Sequence, residues 1–191
     1  MEPHAGVFRR LDVYLFGEVT KRFTRDRTLS VFDFFCIVSW KANRAKSKVA
    51  SRLRVYAQTK DLSVAVARLA AQIRAASDSK AKLAVLVEDA GFKLPIASAI
   101  LSVLYPNTFT VFDRRVCEVL RVLTGQDFYN LKGKSAFDEL WPHYLKYKLA
   151  VEQNGVGDSL REKDCHLWGT SFRDQLVRDI ERGFVPPVKA E

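Results

Sequence analysis

Apolar residues return at three- and four-residue spacing along most of the chain, and no convincing pair of alternating strands interrupts them. A helix written this way has one apolar stripe, which it can bury only against other elements. The chain is therefore expected to be all-α, with about eight to ten helices.

The stops and starts agree with that expectation. Ser30, with Asp33 three residues on, opens the apolar run that ends at Trp40. Asp61 or Ser63 opens the next amphipathic stretch, and Lys80 to Asp89 forms a short helix closed near Gly91. Leu94 to Tyr105 follows, with Pro95 at its start, where a missing N–H costs nothing, and Pro106 beyond its end. Asp113 precedes a helix from Arg114 to Leu123, stopped by Gly125. Ser135 with Asp138 opens a longer helix to about Gln153 that must accommodate Pro142. A last helix covers Glu162 to Arg182, with Gly169 as a point of irregularity, and a flexible tail begins at residue 184. At 191 residues the chain suits one helical unit, or two small lobes sharing a cleft, and needs neither disulfide nor metal to fold.

Charge narrows the partners. Lys and Arg number 31 against 22 acidic residues, a net charge of +9 that attracts polyanions, nucleic acid first. The same balance also fits a basic soluble protein with no polyanionic ligand. No strongly cationic helix stands apart and no apolar run has the length of a membrane span, so no membrane partner is expected. Cys36, Cys117 and Cys165 lie far apart and form no Cys/His cluster, which argues against structural zinc or a four-cysteine iron–sulfur centre. The N-terminus carries no signal-peptide pattern, so an intracellular, cytoplasmic protein is expected.

Residues 89–117 read DAGFKLPIASAILSVLYPNTFTVFDRRVC. A helix (Lys80 to Asp89), a turn (Ala90-Gly91-Phe92-Lys93), a second helix (Pro95 to Leu104) and an aspartate sixteen residues after Ala97 follow in order. This arrangement, from Lys80 to Leu120, resembles the helix-hairpin-helix family of DNA glycosylases. The resemblance implies a fold of two helical lobes around a cleft, a hairpin that grips the DNA backbone, and Asp113 as the carboxylate that acts when the base leaves. The physical chemistry is consistent with those roles. A glycine between helices lets a phosphate approach backbone N–H groups. A carboxylate beneath the sugar stabilises the positive charge that develops as an N-glycosidic bond breaks.

The departures also carry meaning. Lys93 replaces the second hairpin glycine, Ala90 replaces the usual proline, and Pro95 falls where lyase members carry a Schiff-base lysine. The resemblance then implies a monofunctional enzyme leaving an abasic site, unless Lys93 substitutes for the missing amine. No cofactor is required, although some family members hold a monovalent cation on hairpin carbonyls.

Gly91, Phe92 and Lys93 are the candidate strand anchor, with Arg114 nearby. In SWKANRAKSK, Asn43 is a candidate to fill the gap left by a flipped base, and Lys41, Arg44, Lys46 and Lys48 are candidate phosphate contacts. Trp40, Tyr105, His166 and Trp168 are candidate walls of a base pocket. Each has a plainer role open to it: Asp113 as a helix cap, Gly91 as a helix stop, the lysines as a solvated face, the aromatics as core. The expected activity is excision of a damaged or modified base from double-stranded DNA by a monomer, in repair or, for phage-type modified cytosines, in antiviral defence. A non-catalytic helix-hairpin-helix module that binds DNA, and a helical interaction domain that binds none, remain the alternatives.

Overall fold

Side-chain caps set where most helices begin, and these caps can be followed in the computed structural model, which describes residues 11–131 and 136–185. Helix α1 spans residues 11–26 and contains a π segment at Tyr14–Val19. Helix α2 (Val31–Ala42) starts at Ser30, whose hydroxyl accepts from the Asp33 amide at 3.0 Å. A 3-10 turn at Asn43–Ala45 leads into α3 (Lys46–Ala57). Asp61 caps α4 (Leu62–Ala75), and Asp78 caps α5 (Ser79–Ala84), which runs on as a π turn at Val85–Asp89. Gly91 then takes a left-handed φ of 66°, and α6 (Leu94–Leu104) follows. Asp113 caps α7 (Arg114–Thr124), which Gly125 ends. Helices α8 (Phe137–Asn154) and α9 (Leu160–Glu181) complete an all-helical fold with no strand among the described residues.

Helices α8 and α9 begin at Phe137 and Leu160. Pro142 sits inside α8 without ending it: the carbonyl it fails to bond is that of Asp138, in the exposed first turn where water can serve it. Helix α9 starts at Leu160 rather than Glu162, because Ser159 and Glu162 form a reciprocal capping box, and Gly169 does not break it. Ser135 and residues 186–191 of the expected tail lie outside the described residues.

Helix α6 is the axis of the core. Every one of its residues except Pro95 is buried, the pattern of a helix covered on all sides. Helices α1, α2 and α5 pack on it, α3 packs on α4, and α7, α8 and α9 pack on one another. A half-buried ion pair joins the first two helices: the buried Asp33 receives Arg22 Nη2 at 2.9 Å and the Tyr14 hydroxyl at 2.6 Å.

Between α6 and α7 the chain is extended and buried from Phe109 to Phe112, with neither helix nor sheet to satisfy its backbone. Side chains supply the bonds. The Tyr144 hydroxyl donates to the Thr110 carbonyl at 2.7 Å and accepts from its amide at 3.1 Å. The Tyr147 hydroxyl donates to the Val111 carbonyl at 2.7 Å, and Ser98 Oγ of α6 accepts from the Phe112 amide at 2.9 Å. Tyr147→Phe should leave the Val111 carbonyl unsatisfied and destabilise the fold by about 1–3 kcal/mol, read by urea denaturation.

Candidate functional site

The extended segment delivers Asp113 to the edge of a cavity of about 400 Å³, a volume ordinary for small-molecule sites, which run roughly 300–1,000 Å³. Its lining comes from α1 (Asp12), α2 (Trp40, Lys41), the segment itself (Val111, Asp113) and α9 (Arg161, Asp164, Cys165, Trp168). Asp113 is both a cap and an ion-pair member. Its Oδ1 accepts from the Arg115 amide at 2.8 Å, and its Oδ2 receives Lys41 Nζ. Lys41 is turned inward, its side chain 10% exposed, so in the free protein it serves Asp113 and not a surface phosphate.

The aromatic walls are held in place. The Trp40 ring meets Phe16 edge-on at 5.6 Å, and the Arg161 guanidinium lies over both rings, 5.3 Å from Trp40 and 4.3 Å from Phe16. Trp168 stacks on Phe172 at 5.6 Å, beneath the Arg115 guanidinium. Arg161 also pairs with Asp12 at the rim and donates from Nη1 to Asp164 Oδ2 at 2.7 Å. Burial pushes the Asp164 carboxyl up to about 6, against the opposing pull of Arg161 and Lys41.

The turn before α6 forms a second, basic place. The Ala90 and Phe92 amides are committed to the Val85 and Leu86 carbonyls at 3.0 and 2.8 Å. The Arg52 guanidinium sits on the Gly91 carbonyl, and Lys48, Arg52 and Lys93 line a groove of about 160 Å³ beside it. In the free protein the Gly91 carbonyl is therefore served by the Arg52 charge. Asn43, Arg44 and Lys46 are exposed next in the chain to this groove.

Other candidates lie elsewhere. Phe92 is 2% exposed and packs against Phe34, so its ring serves the core and contributes to the basic groove only as buried lining. Tyr105 lies between Phe23 and Phe109 and does not line the cavity. His166 is exposed, its Nδ1 accepting from the Val156 amide at 3.4 Å. Arg114 pairs with Glu118 at 2.8 Å and lies over Tyr129, which reduces its freedom to meet a phosphate. Sequence reasoning missed Arg52, Asp12, Arg161 and Asp164 as site residues. The capping pair Ser159 and Glu162 would have set the start of α9, and with it the shared face of Arg161 and Asp164.

The raised Asp164 carboxyl has a consequence for stability. Its ordinary value is 3.8 and its folded value about 6, so the folded chain holds the proton more tightly. Stability from this group is fully present below about pH 4 and falls as pH rises through about 6, by roughly 3 kcal/mol in all. Asp164→Asn should remove that downward slope, measured as melting temperature against pH beside the wild type. No family model, curated protein or solved structure matches the chain, so its own residues carry the functional reading.

Proposed function

We propose that the protein is a DNA glycosylase of the helix-hairpin-helix kind, releasing a damaged or modified base from double-stranded DNA through Asp113. The observation that carries this reading is the placement of Asp113, paired with Lys41, at a cavity walled by Trp40 and Trp168. A base turned out of the duplex would stack on the tryptophans, which offsets part of the few kcal/mol lost on unstacking. The Asp113 carboxylate would then face the sugar and stabilise its developing positive charge, while water completes the hydrolysis. The Gly91 turn with Lys48, Arg52 and Lys93 would hold the phosphate backbone without reading sequence.

Lys41 favours a second form of the same activity. Pro95 cannot act as a nucleophile, but Lys41 brings a primary amine to Asp113 from a different helix. If that amine passes a proton to Asp113 and attacks C1′, the new C–N bond forms as the glycosidic bond breaks and the base leaves with the electron pair, taking up a proton; loss of a further N–H proton then opens the C1′–O4′ bond, and O4′ takes a proton. The resulting imine can be trapped on the enzyme by borohydride. Hydrolysis alone leaves no trappable adduct.

Two measurements separate these readings from a module that only binds DNA. Asp113→Asn should lower base release by about 10²–10⁴-fold, assayed on a panel of damaged, modified and phage DNAs, while DNA binding persists. Unchanged release would remove Asp113 from the mechanism, and wild-type binding without any base release would leave the binding module. Replacing Lys48, Arg52 or Lys93 by Ala should weaken binding alike on all sequences. Each replacement should also reduce the slope of log affinity against log salt by about 1.

A further inference from the structure

Among the described residues, the cavity lining holds one more carboxylate than it has cations. Its charged lining is Asp12, Lys41, Asp113, Arg161 and Asp164. Lys41 is engaged by Asp113, and Arg161 is shared between Asp12 at the rim and Asp164 in the wall. Asp164 is 3% exposed, and its Oδ1 has neither a protein partner nor contact with bulk water. A buried acceptor left unused in this way is costly, and a ligand that supplies a donor offsets that cost. Arg161 holds the other oxygen, so the carboxylate cannot swing away to find one.

From this arrangement, and resting on the glycosylase reading, we infer that Asp164 selects the base, favouring one that carries an exocyclic amino group over its deaminated counterpart. A base stacked against Trp40 or Trp168 must present its edge to the α9 wall. An amino edge donates to the carboxylate. An oxo edge at the same place sets two acceptors against each other, and a site built to use a donor rejects the analogue that lacks it. The substrate class is therefore adenine-, cytosine- or guanine-like, with ring-alkylated cations of these bases tolerated by the surplus negative charge. Uracil and hypoxanthine fall outside it.

The test uses pairs of free bases matched in shape, adenine with hypoxanthine and cytosine with uracil, bound to the full chain and followed by quenching of tryptophan fluorescence. The amino member of each pair should bind about tenfold or more tightly, the effect of one charge-assisted hydrogen bond. Asp164→Asn, which offers an N–H of its own, should abolish or reverse the preference. Asp12→Asn at the rim should keep it. Melting curves on the same samples confirm that each variant is folded. Equal binding within each pair, no binding of any of the four, or a preference unchanged in folded Asp164→Asn would overturn the inference.

Base release from duplexes containing the same four bases separates this inference from the reading beneath it. An amino preference in binding with no release from any DNA keeps Asp164 as the selector and removes the enzyme. Release confined to uracil or hypoxanthine keeps the enzyme and removes the selector.

Discussion

The extended run from Phe109 to Phe112 is the constraint on which the site depends. Buried backbone must find hydrogen-bond partners, and beyond the turn bond from the Phe109 amide to the Tyr105 carbonyl this run finds its partners in side chains. Tyr144 and Tyr147, stacked along α8, reach the run from one side, and Ser98 of α6 reaches it from the other. Both backbone groups of Thr110, the Val111 carbonyl and the Phe112 amide are held in this way. Asp113 follows it directly, so the carboxylate inherits a position set by the core and by the first turn of α7.

Charge is arranged with similar economy. Asp33 is buried between Arg22 and Tyr14, where it ties α1 to α2 and takes no part in the cavity. Lys41, one residue beyond Trp40 on α2, crosses to Asp113. Arg161 lies flat on Phe16 and Trp40 while it pairs with carboxylates on α1 and α9. One helix therefore supplies an aromatic wall and a cation to the cavity, while its carboxylates come from α1, α9 and the segment before α7. The basic groove at Gly91 lies at the N-terminal end of α6, and the extended run returns along this buried helix from its C-terminal end as far as Ser98.

Much of this architecture was legible in the chain. The all-helical fold followed from apolar spacing, and Ser30, Asp61 and Asp113 proved to be caps because their side chains sit just ahead of helices with open N–H groups. Local rules reach that far because a cap is satisfied within three residues. They do not reach across the fold. Phe92 was a candidate for DNA contact from its place beside Gly91, yet alternate residues of that turn point inward and its ring fills the core against Phe34. Tyr105 and His166 carry suitable chemistry on faces turned away from the cavity.

By itself the sequence determined that the fold is helical, where most helices after α1 start and stop, and that the chain carries an excess of positive charge. Only the tertiary structure decided that Lys41 meets Asp113 across 72 positions, that Arg52 caps the Gly91 carbonyl, and that Asp164 stands half unsatisfied in a cavity wall. The physical reason is range. Capping and helical periodicity are interactions between near neighbours in the chain and leave a pattern there. An ion pair between distant helices, or a buried oxygen without a donor, comes into being only when packing brings remote side chains together and excludes water.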